Sequence, residues 1–317
     1  MKTKLTETKF KSAISSARQL FSKVAYFGAV ILICSGASAQ NLFVSGRGAG
    51  GGEISKFTWD GRQSIFASGL YKPGDMAFDG GGNLFVVDYV ILDNGAGGVR
   101  SDAAIFKITP NGTITIFASR VSYPSYLAVD KAGNLFAADY DQGIIYRYKP
   151  NGLRATFASG LYHPVGMAFD SAGNLFVADN RIGNVYEGHI YQYKSDGSRT
   201  TFAVLDPSDR PADLAFNSLG NLFMADLGGN IYKYNPSGVL RRYPRTTFGS
   251  VPGSAQSLAC DSAGNLFVVD AGDTSDIGPS TPNAIYKFTQ QGGRSMFAFA
   301  DALDESFTSL IFQQIPL

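Results

Sequence analysis

The stretch Pro164-Val165-Gly166-Met167-Ala168-Phe169-Asp170-Ser171-Ala172-Gly173-Asn174-Leu175-Phe176-Val177-Ala178-Asp179 decides the fold. Two short apolar segments flank a Gly-Asn turn, and the pattern recurs along the chain. The tripeptide Asn-Leu-Phe begins at Asn41, Asn83, Asn134, Asn174, Asn221 and Asn265, at spacings between 40 and 51 residues. Such self-similarity is the mark of a repeat architecture. Five copies carry the leading apolar segment: Met76 to Asp79, Leu127 to Asp130, Met167 to Asp170, Leu214 to Asn217 and Leu258 to Asp261.

Downstream of each copy come an alternating segment such as Ile144-Ile145-Tyr146-Arg147-Tyr148, a turn such as Pro150-Asn151-Gly152, and a last segment such as Ala155-Thr156-Phe157-Ala158. These read as four short strands, A to D, rich in β-branched and aromatic residues. Four antiparallel strands per 40 to 50 residues make one propeller blade. A βαβ alternative would need helical periodicity, and nothing after residue 40 shows it. The expected fold is all-β: a six-bladed β-propeller with four antiparallel strands per blade. The first copy starts at strand B, and Phe307 to Phe312 fits the strand A pattern, with Leu310 and Phe312 in the places of Met76 and Phe78. Blade 1 is therefore expected to be closed by the C-terminal strand, which leaves no open sheet at the ring's seam.

Before the propeller lies a different kind of sequence. Residues 1 to 39 hold six cations and one acid, an apolar run from Val24 to Cys34, and Ala37-Ser38-Ala39 before Gln40. This layout is a secretory signal peptide, with 40–317 as the exported propeller and a secreted or periplasmic destination. The apolar run is about half of the roughly 20 residues a spanning helix needs, so no membrane span is expected after signal removal. Ile33 before Cys34 argues against a lipoprotein. Cleavage leaves one cysteine, Cys260, in a slot that other copies fill with Phe78, Val129, Phe169 and Phe216. It reads as a buried small hydrophobe. The remaining 21 cations against 25 acids make a mildly acidic body, which argues against nucleic acid as a partner.

The unit Pro-x-x-Met-Ala-Phe-Asp-x-x-Gly-Asn-Leu-Phe-Val-x-Asp resembles NHL repeats and the related gluconolactonase, or senescence-marker, superfamily of six-bladed propellers. The resemblance covers residues 40 to 317. It implies a channel along the ring axis in which metal-dependent members hold a Ca²⁺-type ion with Asn, Asp or Glu from strand A. The matching positions here are Gly74, Ser125, Val165, Ala212, Gln256 and Thr308, none of them acidic. Asp75 and Asp213 lie one residue further on, in blades expected to face each other across the ring. They could share an ion, or bond loop amides as strand-end groups. The amidating lyases of this fold take zinc from His on three blades, whereas this chain has only His163 and His189, at unrelated repeat positions.

Five aspartates close strand B: Asp88, Asp139, Asp179, Asp226 and Asp270. Set one strand back from the channel, they are expected to cap loop N–H groups. The glycine-rich run Gly46 to Gly52 leads into a strand and is read as a flexible loop, not a phosphate cradle. The longest B to C connections, 89–103 and 271–283, flank blade 1 and suggest a contact surface, or else a drifting rim in which Tyr89 to Leu92 simply extend strand B. With Lys72, Tyr123, His163, Arg210 and Tyr89 at the loop tips, and Asp75 and Asp213 below, the candidate site is a mixed polar and aromatic mouth. The expected function is a binding module for a protein, peptide or polar small molecule, with no cofactor required. The alternative is a metal-dependent lactonase, for which Ca²⁺ would be the ion.

Overall fold

The Asp-x-x-Gly-Asn turns close in one way. The Asp170 carboxylate accepts hydrogen bonds from the Asn174 backbone N–H and from its side-chain amide, both at 2.8 Å. Gly173 takes φ +86°, a conformation side chains disfavour. The same pair of bonds recurs at Asp79/Asn83, Asp130/Asn134 and Asp261/Asn265, and at Asn217/Asn221 with an amide in place of the acid. Each turn delivers the chain into a B strand whose Leu-Phe pair is at most 4% exposed.

The structure, a computed structural model, describes residues 40–48, 51–93, 99–119, 121, 124–180, 188–235, 245–272, 283–299 and 306–313. They form 24 strands and, among the described residues, no helix. Blade 1 contains β1 (Leu42–Gly48), β2 (Gly51–Phe57) and β3 (Gln63–Leu70); blade 2 contains β4 (Met76–Phe78), β5 (Leu84–Asp93), β6 (Val99–Ile108) and β7 (Ile114–Ser119). Blade 3 contains β8 (Pro124–Val129), β9 (Leu135–Asp139), β10 (Ile144–Tyr148) and β11 (Arg154–Ala158); blade 4 contains β12 (Pro164–Phe169), β13 (Leu175–Asp179), β14 (His189–Tyr193) and β15 (Arg199–Val204). Blade 5 contains β16 (Pro211–Phe216), β17 (Leu222–Asp226), β18 (Asn230–Tyr234) and β19 (Arg245–Ser250); blade 6 contains β20 (Ala255–Cys260), β21 (Leu266–Asp270), β22 (Ala284–Phe288) and β23 (Arg294–Phe299). The last strand, β24 (Ser306–Phe312), pairs antiparallel with β1 and completes blade 1 in the order β24-β1-β2-β3. The inner strands β24, β4, β8, β12, β16 and β20 contact one another in sequence around a closed ring.

The Asn-Leu-Phe phenylalanine is the clasp between blades. Phe43 meets Phe66 of its own D strand and Phe78 of the next A strand edge-on, at ring separations of 5.0 and 4.9 Å. Phe136, Phe176 and Phe267 repeat the arrangement, the last against Phe312 of the closing strand. Edge-to-face pairs of this kind each add about 0.5–1.5 kcal/mol to the burial they bring. Val129 and Cys260 occupy the A-strand slot in blades 3 and 6 and pack into the same interblade clusters. Burial pushes the Cys260 thiol up to about 12, in keeping with a packing role.

Two expectations about connections are corrected. The connection 89–103 is mostly strand: β5 and β6 continue as one antiparallel ladder out to Asp93 and Val99, leaving only 94–98 outside the described residues. The glycine-rich run is also hairpin, with Arg47 and Gly48 paired to Gly52 and Gly51. The strand-favouring run Tyr89-Val90-Ile91 continues blade 2's pairing, and glycines let β2 approach Pro73, where a Cβ on Gly52 would lie 2.4 Å from its ring. Residues 1–39, including the expected signal peptide, lie outside the described residues, as does most of 271–283.

Candidate functional site

Strand A is irregular near its start. In β8, β16, β20 and β24 one extra residue stands against the B strand, at Ser125, Ala212, Gln256 and Thr308; in β12 the extra residue is Gly166. A β-bulge re-aims side chains, and here it turns this part of the inner strand toward the channel. All six positions picked out by the repeat, Gly74, Ser125, Val165, Ala212, Gln256 and Thr308, line a cavity of about 350 Å³ at the channel mouth. Asp75, Tyr126, Ser257 and Ser309 line it one residue deeper, and Tyr140, Asn180 and Leu227, each directly after a B strand, form its upper wall.

Beneath the cavity runs a hydrogen-bonded belt from blade to blade. Asp213 accepts from Ser257 Oγ (3.0 Å) and from the Leu258 N–H (2.8 Å) of blade 6. Ser257 Oγ accepts from the Leu310 N–H of blade 1 at 3.3 Å and lies 3.4 Å from Ser309 Oγ. Ser309 Oγ donates to Asp75 Oδ1 (2.8 Å), and Asp75 Oδ2 accepts from the Leu127 N–H of blade 3 at 2.7 Å. The expectation that these two acids bond loop amides is thus corrected. Their backbone donors lie on inner strands, because the bulge points each carboxylate sideways along the ring. In blade 4 the same register holds Gly166, where a Cβ would stand 2.8 Å from the Asp213 Cα.

Burial pushes both carboxyls well above the ordinary carboxylate range. Asp213 is raised further because Asp75 adds like-charge repulsion to its burial. Tyr126 responds to the same pair: burial first, then the Asp213 and Asp75 charges, hold its phenol protonated far into the alkaline range. An acidic pair linked through two serine residues therefore lies at the base of the cavity, with Asp75 in the lining and Asp213 beneath it.

The other candidate residues are distributed differently. His163 stacks on Tyr140 (4.4 Å between ring centres, 12° between planes), so it backs the wall and does not line the cavity. Lys72 and Arg210 are exposed on the D to A connections, where their backbone N–H groups bond Asp88 and Asp226 at 2.7 and 2.6 Å. Tyr89 belongs to the extended hairpin of blade 2, and Tyr123 lies outside the described residues. The strand B aspartates do cap loops. Asp179 accepts from the Tyr162 and His163 N–H groups, Asp88 from Tyr71 and Lys72, and Asp270 from Gly253 and Gly272. Ser257, Ser309, Tyr126, Tyr140, Asn180 and Leu227 were missed by sequence reasoning. The signal for them was available, since the first three share the register of Asp75 and the last three each follow a strand B aspartate.

The ring where a metal would be held offers Ser125, Gln256 and Thr308 as side-chain oxygen donors. The Ser125 hydroxyl donates to the Ala138 and Pro164 carbonyls, and that of Thr308 to Pro73 and Ser45. Hard cations require six to eight oxygens, a set this ring does not supply. Among the described residues no three His, Cys, Asp or Glu side chains converge as a metal site.

No family model matches the chain, and no curated protein matches it. Solved structures do match. A gluconolactonase from Xanthomonas campestris superposes with a TM-score of 0.56 at 15% identity, covering 88% of this chain and 90% of that one. Virginiamycin B lyase from Staphylococcus aureus gives 0.52 at 16% identity, over 74% of this chain and 77% of that one. The chain has the six-bladed fold of these enzymes. A protein of unknown function from Bacteroides caccae gives 0.58 at 15% identity, over 87% of this chain and 99% of that one. At such identities the likeness is one of fold, and function has to be argued from the site itself.

Proposed function

We propose that this chain is an exported, NHL-type binding propeller that holds a small polar molecule at the mouth of its central channel. The observation that carries the reading is the cavity itself. Bulges in five inner strands direct side chains into one space of about 350 Å³. Its lining mixes apolar walls (Val165, Pro211, Leu227) with phenols, amides, hydroxyls and one carboxylate. Small-molecule sites have this composition, with a few polar groups fixing orientation in an otherwise apolar cleft. The hydrogen-bonded belt below makes the floor rigid, which favours binding by a preformed site.

The test is to fill the mouth. Ala212 is 4% exposed and lines the cavity, so Ala212→Phe places a ring in it. Thermal melts of wild type and variant against a panel of polyols, sugar acids, lactones, amino acids and amines read out binding. Ligands that raise the wild-type midpoint and lose their effect in the variant support the reading. Ligands that stabilise both proteins equally, or a panel without effect, contradict it.

The fold likeness to a gluconolactonase favours one second reading, a metal-dependent lactonase. Against it stands the donor set of the ring. Lactone turnover that chelator abolishes and Asp75→Ala removes would establish the lactonase over the binding protein.

A further inference from the structure

We propose that the mouth cavity selects a small organic cation, an ammonium compound with an apolar or aromatic body, whose charged nitrogen sits against Asp75 between Tyr126 and Tyr140. The inference deepens the reading of the cavity as a ligand site and rests on it.

Asp75 is the one acid that lines the cavity among the described residues, and the donors given for its oxygens are neutral: the Leu127 and Met76 backbone N–H groups and the Ser309 hydroxyl. No basic side chain among the described residues lines the same space. Asp213 lies directly below the lining, 7% exposed, and adds to the negative potential through the two serines. A carboxylate under these conditions is under-compensated, as its raised proton affinity records. A cation in the cavity supplies the missing charge. Tyr126 and Tyr140 add aromatic surface, which attracts ammonium groups within about 6 Å of a ring centre and contributes more as water is excluded. Val165, Pro211 and Leu227 suit the ligand's carbon body. An anionic sugar acid would instead meet Asp75 head-on.

The proton balance of the site gives a second readout. The titratable groups facing Asp75 are Asp213, Tyr126 and Tyr140, with His163 behind the last. Burial and the two carboxyl charges keep the Tyr126 phenol neutral at working pH, so the carboxyl pair carries the titration. A bound cation stabilises the ionised pair, releases protons from it, and binds more tightly as pH rises.

The test compares three probes of one shape: benzylammonium, benzyl alcohol and benzoate, titrated by calorimetry into the purified protein. Expected results are at least tenfold tighter binding of benzylammonium than of benzyl alcohol, weakest binding of benzoate, and proton release that varies the heat between buffers. Asp75→Asn should remove the advantage of the cation. Because Asp75 also serves the belt, Gln256→Lys and Tyr140→Leu provide variants outside it. The lysine ammonium should displace benzylammonium from within, and loss of the Tyr140 ring should weaken the cation more than the alcohol. Equal binding of alcohol and cation, preferred binding of benzoate, or stabilisation by Ca²⁺ alone would overturn the proposal. If these occur while Ala212→Phe still abolishes a neutral ligand from the panel, the cavity remains a binding site and only its charge preference is wrong.

Discussion

At the scale of single residues, Asp75 and Asp213 set the chemistry of the molecule. Their carboxyls hold protons to higher pH when folded than when unfolded. Between the ordinary Asp pKa, about 3.9, and the raised values, the folded state binds more protons, so stability falls as pH rises through that window and is lowest above it. The melting midpoint of the wild type should therefore drop between about pH 4.5 and about pH 8.5, and that of Asp213→Asn should drop less. A parallel drop in both proteins would show that Asp213 carries no linked proton. The strand B aspartates make a different prediction. Asp179→Ala strips the acceptor from two N–H groups, Tyr162 and His163, and should lower stability by about 1–3 kcal/mol in urea titrations. Their capping role was legible in the sequence because five of the six blades repeat the aspartate. The partners of Asp75 and Asp213 on other blades were not, because those partners belong to strands 44 to 234 residues away.

At the scale of elements, the bulged inner strand links fold to site. Residue spacing showed where strand A lies, and the family resemblance implied which six positions face the channel. It did not show the bulges, since an extra residue in a strand leaves the alternation of its neighbours intact on either side. Gly166 tests the point. Its φ of +61° and the Asp213 backbone 2.8 Å from any Cβ leave no room for a side chain. Gly166→Ala should cost more than about 1 kcal/mol, measured as a lowered urea midpoint, because an L-residue meets both strain and collision there. No change would mean that β12 does not carry its bulge at Gly166. Repeats also explain why the sequence left open whether 89–103 is loop or extended strand: the five-residue B strands of blades 3 to 6 gave no measure of how far β5 continues.

At the scale of the whole molecule, closure and site are one construction. The closing strand β24 brings Phe312 against Phe267, and the same strand supplies Thr308 and Ser309 to the cavity. Deleting residues 305–317 should lower stability by more than about 4 kcal/mol, since it removes buried Leu310 and Phe312 together with the seam of the ring. A truncated protein melting within a few degrees of the full chain would refute the closure. Six Asn-Leu-Phe copies made this ring legible from sequence, whereas the cavity needed the ring assembled before its lining could be identified. The most direct test of the account is amide hydrogen exchange with and without a ligand that stabilises the protein. Binding at the channel mouth predicts increased protection at the starts of the inner strands, around Asp75, Tyr126, Ser257 and Ser309, with the outer strands β3, β7, β11, β15, β19 and β23 unchanged. Protection confined to those outer strands or to the connections 94–98 and 273–282 would contradict it.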